Sequence, residues 1–358
     1  MWRYYVRKYK PVIIGIIFLL CMILLIVVGA RTKKPTNENF ESETFSGKAM
    51  GTAVKKTLYA ENKAELEQID ERIDKCLQQL ENQISVRIVD SDISKCNRNY
   101  AVDGIYTLPD NVLEYLKQEM KLYEETDGAF SPCIRPLSEL WGIEEGETVV
   151  PDEDDIRFAL DYICASDIEV VKNGVLFHKQ GMSIDFGASG KGIACDEVVK
   201  LLETTDVAGA VISVGGSIAV YGQKDDGKDW HIGIRNPEGS EEDVMGVLEC
   251  QGGTFISTSG NYEKYFELDG KRYHHILDPA TGYPADNGLQ SVTIICENGL
   301  LSDAMSTACF VMGLEDGMRY AKEKGVDAIF ITSDKKVYIT DNIKKKFNIK
   351  ENSYTISK

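Results

Sequence analysis

The chain has 358 residues, of which 43% are hydrophobic and 27% are charged, and its formal net charge is −17. This length and this balance exclude a disordered or low-complexity protein, and they are sufficient for one large core or two smaller ones. The negative charge makes nucleic acid a poor partner, because phosphate binding of that kind needs a basic face.

The N-terminal segment predicts a membrane anchor. Residues 12–30 form an apolar run without a charged residue, long enough for a helix that crosses a bilayer, and they lack a signal-peptide cleavage site. Basic residues are slightly more numerous before the run than after it. We therefore predict a short cytoplasmic segment at 1–11, a single transmembrane anchor at 12–30 and a linker at 31–44. The remainder of the chain would face outward from the cell membrane.

Strand-like and helical patterns alternate after the linker. Residues 45–59 alternate as a strand does, and Met50-Gly51-Thr52 taken alone indicates a bulge within that strand. Apolar residues recur at helical spacing over 63–80 and 110–125. A further helix is predicted at 151–163, because proline opens this segment and acidic residues follow. Short β-type runs are predicted at 168–172, 175–178 and 182–185.

A glycine-rich segment, Asp185-Phe-Gly-Ala-Ser-Gly-Lys-Gly192, lies between the last of these runs and a helix predicted at 193–202. Glycines in such a place let backbone amides approach an anion, and Lys191 adds a positive charge. The spacing fits neither a P-loop nor a dinucleotide fingerprint. The segment alone therefore predicts an anion site of unspecified class.

Polar chemistry is most concentrated in residues 258–311. A strand-like run at 271–274 leads into His275, and the following Asp-Pro and Thr-Gly pairs predict a turn that holds this histidine at a strand end. His274 and His275 should point to opposite faces of the strand, so that one of them can face a ligand.

A helix is predicted to begin near Asp303, with Ser302 as its N-cap. Asp303 and Thr307 would then lie on one face near the positive end of the helix. A carboxylate and a hydroxyl are oxygen ligands that suit Mg²⁺ shared with a phosphorylated ligand. The alternative is an N-terminal aspartate beside a threonine that hydrogen-bonds to its own helix.

Three motifs in this region resemble the ApbE family, the FAD:protein FMN transferases. They are Thr258-Ser-Gly-Asn-Tyr262, His275-Ile-Leu-Asp-Pro-Ala-Thr-Gly282 and Ser302-Asp-Ala-Met-Ser-Thr-Ala308, in the family's order. The glycine-rich segment is also similar to the family's pattern, as are residues 126–132 and 137–142. The likeness extends over 48–340.

The resemblance implies an α+β fold of mixed β-sheets flanked by helices over 45–342, with a C-terminal tail at 343–358. It implies a catalytic role for His275 and Mg²⁺ binding by the Ala188 carbonyl, Asp303 and Thr307. The FAD contacts that it implies are Met50, Arg87, Ala129, Phe130, Ser131, Asp185, Lys191 and Ile276.

Two of these positions depart from the family pattern. Arg87 stands where an aromatic residue is common, although a guanidinium can also stack on a flat ring. Ser131 stands where aspartate is usual, which keeps a hydrogen-bonding group and loses the charge.

The implied reaction splits FAD between its phosphates, releases AMP and joins FMN to a Thr or Ser hydroxyl of an acceptor protein. We expect the acceptor to be a membrane-associated redox subunit. Hydrolysis of FAD to FMN and AMP by the same site is one alternative, and a non-catalytic, membrane-tethered flavin-binding protein is another. The combination of His275 with two metal-binding side chains favours an enzyme, since retention of FAD requires neither.

Overall fold

The computed structural model describes residues 40–224 and 227–357, which form seventeen strands and seven α-helices within those ranges. The strands are β1 (Glu41–Ala49), β2 (Thr52–Ala60), β3 (Ile105–Thr107), β4 (Ile168–Val171), β5 (Gly174–Phe177), β6 (Gly209–Val214), β7 (Ser217–Gly222), β8 (Trp230–Arg235), β9 (Val244–Cys250), β10 (Thr254–Gly260), β11 (Tyr265–Leu268), β12 (Lys271–His274), β13 (Leu289–Cys296), β14 (Asp327–Thr332), β15 (Lys336–Ile339), β16 (Phe347–Ile349) and β17 (Thr355–Ile356). The helices are α1 (Lys63–Ile84), α2 (Asp92–Asn99), α3 (Asp110–Glu125), α4 (Arg135–Trp141), α5 (Glu153–Leu160), α6 (Gly190–Leu202) and α7 (Gly299–Lys324).

A nine-stranded sheet lies at the centre of the fold, in the order β1-β2-β6-β7-β10-β13-β14-β15-β17. Neighbouring strands are antiparallel except β15 and β17, which are parallel. Three smaller sheets, β3-β5-β4, β16-β9-β8 and β11-β12, surround it. This mixture of sheets and helices agrees with the predicted α+β class.

The two faces of the central sheet are covered by different layers. Along β14, Phe330 packs into the cluster that α7 forms with the sheet, whereas Ile329 and Ile331 pack towards the sheet β16-β9-β8. Side chains of successive strand residues point to opposite faces, which explains this division. The helices α1, α3 and α6 cover the end of the sheet that contains β2 and β6, where they enclose Leu58 and Ile212.

The first two strands form a hairpin rather than the single bulged strand predicted over 45–59. The turn consists of Met50 and Gly51, whose φ angles are +53° and +67°. Two positive φ values in a two-residue loop are typical of a type I′ turn, which matches the twist of an antiparallel pair. The hairpin presents Met50 at its tip.

Helices α6 and α7 cap each other at their N-termini. Asp196 of α6 accepts hydrogen bonds from the amides of Gly299 at 2.7 Å and Leu300 at 2.8 Å. Asp303 of α7 accepts one from the amide of Gly192 at 2.9 Å. A Cβ atom on Gly192 would lie 2.0 Å from the Gly299 carbonyl oxygen, so this approach requires glycine.

Several predicted boundaries differ from the structure. Helix α7 begins at Gly299 with Asn298 as its N-cap, because the Asn298 side chain accepts from the amide of Leu301; the prediction that Ser302 is the cap was therefore wrong. The helix predicted at 151–163 is shorter, the run at 182–185 contains no strand, and α2 was not predicted. The prediction of a helix at 110–125 is confirmed, and α1 continues four residues past its predicted end at 80.

The folded unit extends beyond the predicted limits of 45 and 342. Strand β1 begins at Glu41, inside the predicted linker, and β16 and β17 pair with β9 and β15 from within the predicted tail. The segments predicted as cytoplasmic (1–11) and transmembrane (12–30) lie outside the described residues. Within 40–224 and 227–357, no helix combines the length and the apolar character needed to cross a membrane.

Candidate active site

A cavity of about 500 Å³ lies where the hairpin tip, the glycine-rich segment and α7 meet. This volume is within the range of small-molecule sites. Eleven of the twelve residues predicted for the site line it: Met50, Arg87, Ala129, Phe130, Ser131, Asp185, Ala188, Lys191, His275, Ile276 and Thr307. The twelfth, Asp303, does not line the cavity. Segments that are distant in the chain are thus brought together around one cavity.

The glycine-rich segment forms a tight turn into α6. Asp185 stabilises this turn, because its Oδ1 accepts from the amide of Gly187 at 2.8 Å. Burial raises the pKa of Asp185, and Arg135, whose Nη1 is 3.7 Å from Asp185 Oδ2, opposes that rise. Arg135 also lines the cavity and was not predicted.

Asp303 lies behind the cavity wall, in the second turn of α7 and not in its first. Its side chain is 4% exposed, and Oδ2 is 3.7 Å from Nζ of Lys191, which does line the cavity. Thr307 follows one turn later, and its hydroxyl is 3.1 Å from that of Ser259. Because the helix starts earlier than predicted, Asp303 lies beside α6. There its side chain both accepts from the Gly192 amide and faces Lys191.

The two histidines at the end of β12 have different surroundings. His274 is buried, with Nε2 3.0 Å from the Ala285 carbonyl oxygen, and Nδ1 accepts from the amide of Ile276 at 3.2 Å. His275 is half-buried and lines the cavity. Strand alternation thus separates the two side chains as predicted. The bonds made by His274 give it a structural role.

The imidazole ring of His275 has one defined hydrogen bond to the residues that the structure describes. Its Nδ1 is 3.3 Å from the main-chain carbonyl oxygen of Lys264. A carbonyl oxygen can only accept, so Nδ1 carries the hydrogen and Nε2 is left as an acceptor. Burial lowers the pKa of His275 to about 4, with Lys264 and Lys191 acting in the same direction and Glu144 against it. The imidazole is therefore neutral at physiological pH.

The two departures from the family pattern are accommodated differently. Ser131 donates its hydroxyl to the Ile163 carbonyl oxygen at 2.9 Å and accepts from the amide of Cys133 at 3.2 Å, so it stabilises its own loop. Arg87 packs against Gly51 at the hairpin tip and forms an ion pair with Glu144.

A buried carboxyl group beneath the glycine-rich segment was not predicted. Glu119 of α3 is fully buried, and Ser189 donates its hydroxyl hydrogen to Glu119 Oε1. Its Oε2 has no hydrogen-bond partner among the residues that the structure describes. Burial raises the pKa of Glu119 well above its usual value, and the nearby Asp185 and Asp303 raise it further. Burial therefore favours the protonated form of Glu119.

We expect Glu119→Gln to be more stable than the wild type at pH 7. A carboxyl whose pKa is higher in the folded than in the unfolded state stabilises the fold below its unfolded pKa, about 4.3, and this contribution is lost as the pH rises. Glutamine has no proton to lose, so its advantage should shrink as the pH falls towards 4. Urea unfolding at pH 4 and pH 7 measures this difference. Glu124→Gln, at an exposed position of the same helix, is the control, and an equal effect of both variants would contradict the assignment.

The chain is similar in sequence to known proteins. The family model of the ApbE family matches residues 50–330. An FAD:protein FMN transferase of Klebsiella pneumoniae is 30% identical over 316 residues, which cover 87% of this chain and 96% of the relative. One from Treponema pallidum is 32% identical over 308 residues, covering 80% and 84%.

Solved structures resemble the fold as well. The flavin transferase ApbE from Vibrio cholerae has a TM-score of 0.78 at 26% identity and covers 86% of this chain and 100% of its own. The apo form of the Pseudomonas stutzeri flavinyl transferase ApbE has a TM-score of 0.75 at 28% identity, covering 86% and 97%. The predicted resemblance is therefore confirmed.

Proposed function

Because this chain belongs to the ApbE family, we infer that it is an FAD:protein FMN transferase, an enzyme that moves FMN from FAD to an acceptor protein. The observation that carries this conclusion is the family match over 50–330 together with the cavity that these motifs line. The roles of individual residues, the metal ion, the acceptor hydroxyl and the location of the enzyme are the further parts of the proposal.

In the proposed reaction, a Thr or Ser hydroxyl of the acceptor attacks the phosphorus of the FMN half of FAD. A new P–O bond forms to the acceptor, the P–O bond to AMP breaks, and AMP leaves with the bridging oxygen. His275 Nε2 accepts the hydroxyl proton. This role is supported by the neutral ring and by its Nδ1–H bond to the Lys264 carbonyl, because together they leave Nε2 as the basic nitrogen.

Three residues from the glycine-rich segment and α7 have the chemistry that suits a Mg²⁺ ion; two of them line the cavity and Asp303 lies behind its wall. The proposed ligands are a carboxylate, a hydroxyl and a main-chain carbonyl, from Asp303, Thr307 and Ala188, and all are hard oxygen donors. Across the described part of the chain, no three His, Cys, Asp or Glu side chains are grouped as a metal site. Mg²⁺ bound here would neutralise charge on the phosphate oxygens of FAD.

The remaining cavity residues are proposed to bind and orient FAD. Lys191 supplies a positive charge beside Asp303, and the turn that Asp185 stabilises presents backbone amides to the phosphates. The contacts proposed at Met50, Arg87 and Ile276 are supported by their positions on the cavity wall, as are those at Ala129, Phe130 and Ser131. Proteolysis near these positions would be compared with and without FAD. Equal cleavage in both samples would oppose the assignment.

The enzyme is proposed to be a single-pass membrane protein with its catalytic domain outside the cytoplasm, and its acceptor a membrane-associated redox subunit. The apolar run at 12–30 and the charges on either side of it support this topology. Protease added to intact cells stripped of outer layers should digest the catalytic domain. Digestion only after lysis would show the opposite orientation.

Transfer and hydrolysis give different products, and simple flavin binding gives none. The purified protein would be incubated with FAD, Mg²⁺ and candidate redox subunits, with AMP measured and a denaturing gel examined for flavin fluorescence. A transferase gives AMP in equal amount with labelled acceptor. AMP alone indicates a hydrolase, and neither product indicates a flavin carrier.

A further inference from the structure

Three charged residues from separate elements meet at the rim of the cavity. Glu144, in the 3₁₀ turn after α4, accepts from Lys264 Nζ at 2.9 Å with Oε1 and from Arg87 Nη2 with Oε2. All three line the cavity, yet 37–43% of each side chain is exposed, which places them at its opening. One carboxylate thus joins two cations that come from different parts of the chain.

The charge on Glu144 is well maintained. Burial by surrounding atoms raises its pKa, but Lys264 and then Arg87 more than offset this and lower the pKa to about 2. The carboxylate is therefore ionised at any pH at which the enzyme would work. Solvent at the rim weakens each ion pair, so the value of the bridge lies in the geometry that it imposes.

The main chain of Lys264 holds His275. Its carbonyl oxygen accepts from the His275 amide at 3.1 Å and from Nδ1 of the same residue at 3.3 Å. The first bond fixes the backbone and the second fixes the tautomer. The position of the Lys264 carbonyl therefore determines which ring nitrogen of His275 is the acceptor.

Lys264 ends a four-residue turn, 261–264, between β10 and β11. The start of the turn is fixed to β13, because Asn261 donates to the carbonyl oxygens of Leu289 and Gln290, both at 3.0 Å. Strand β11 pairs with β12 in a separate two-stranded sheet outside the central one. The end of the turn nearest His275 is held through the Lys264 side chain by Glu144.

We propose that Glu144 is a positioning residue: by holding the Lys264 ammonium together with the Arg87 guanidinium, it fixes the Lys264 carbonyl against His275 and keeps Nε2 as the acceptor. This inference deepens the proposed function and rests on it for the role of Nε2. The residue does not enter the chemistry itself, and its effect reaches the histidine through the backbone.

The test combines four variants of the full-length protein: Glu144→Gln, Glu144→Ala, Lys264→Met and the double variant Glu144→Ala/Lys264→Met. Lys264→Met removes the ammonium and retains the carbonyl. Histidine nitrogen NMR without ligand reports the tautomer, with His275 assigned through His275→Gln. We expect the wild type to show hydrogen on Nδ1, Glu144→Ala and Lys264→Met to show mixed tautomers, and the double variant to equal either single one.

Kinetics provide the second measurement. With FAD and an acceptor, kcat should fall about tenfold to a hundredfold in Glu144→Ala, because a small displacement of the base is costly, and less in Glu144→Gln. The KM for FAD should not rise, since a carboxylate has been removed near an anionic substrate. Glu267→Gln is the matched control. It breaks an exposed ion pair between β11 and β12, in which Glu267 lies 3.2 Å from Arg272, and neither residue lines the cavity.

An unchanged tautomer in both Glu144→Ala and Lys264→Met would overturn the proposal, and so would a parallel rise in KM with constant kcat. Failure of the proposed function has a different signature. In that case the wild type transfers no FMN to any acceptor while the tautomer still changes in the variants, and the positioning of His275 by Glu144 is upheld.

Discussion

Replacement of His275 by glutamine should lower the rate of FMN transfer about 10²- to 10⁴-fold, the usual span for a positioned acid or base. Glutamine can keep a hydrogen bond to the Lys264 carbonyl but cannot accept a proton. The affinity for FAD should change little, because the loss concerns the transition state. Single-turnover transfer and FAD binding, measured on the same preparation, separate these effects.

The pH dependence of the wild-type enzyme provides an independent check. Burial lowers the pKa of His275 to about 4, so the base remains unprotonated from neutral pH down to mildly acidic pH. Its contribution to kcat should be constant over that interval and decline as the pH falls through about 4. His275→Gln should lack this decline.

His274 is the contrasting neighbour. His274→Ser should affect stability, because the substitution would leave the Ile276 amide and the Ala285 carbonyl without their partner. It should lower the free energy of unfolding by about 2 kcal/mol and preserve transfer in the protein that remains folded. An inactive, stable His274 variant beside an active His275 variant would reverse the two assignments.

Asp303→Asn should abolish magnesium-dependent transfer, with a loss of at least about a hundredfold in kcat/KM. Asparagine retains an oxygen that can accept from the Gly192 amide, so the cap of α6 is preserved while the negative charge is lost. Activity would be measured across a magnesium titration, and folding by urea unfolding.

Two further variants make this test specific. Asp303→Ala should add a stability loss of about 1–3 kcal/mol, because it leaves the buried Gly192 amide unpaired. Asp316→Asn makes the same carboxylate-to-amide change in an exposed pair with Arg319 on α7 and should be neutral. Normal activity of Asp303→Asn at limiting magnesium would show that Asp303 is not a metal ligand.

The cavity that eleven of the twelve predicted residues line could be located from the sequence, because those residues lie in continuous motifs. His275, the glycine-rich segment and the Asp303–Thr307 pair can each be recognised locally, and the chemistry of phosphate binding limits what such segments do. The start of α7 could not be predicted in the same way. Both Asn298 and Ser302 can cap a helix, and the choice depends on Asp196, which lies far away in sequence and caps Gly299 and Leu300.

Glu119 and Glu144 were missed for different reasons. Glu119 lies between Leu116 and Leu122 on the buried stripe of α3, and a charged residue on an apolar stripe is a signal that the sequence does contain. Glu144 lies in an acidic stretch that resembles an ordinary solvated surface. Its role depends on Arg87 and Lys264, which only the tertiary fold brings within reach. Local patterns therefore identify motifs, whereas contacts between motifs require the structure.

The contact between Gly192 and Gly299 has a consequence for ligand binding. Backbone touches backbone there, and the side chains of Asp196 and Asp303 hydrogen-bond across the same contact, so neither helix can shift without breaking these bonds. The helix with Asp303 and Thr307 and the segment with Lys191 are thus parts of one rigid joint. Ordering either part lowers the entropic cost of ordering the other, and thermodynamic reciprocity makes the two effects equal. Magnesium should therefore raise the affinity for FAD by the same factor by which FAD raises the affinity for magnesium.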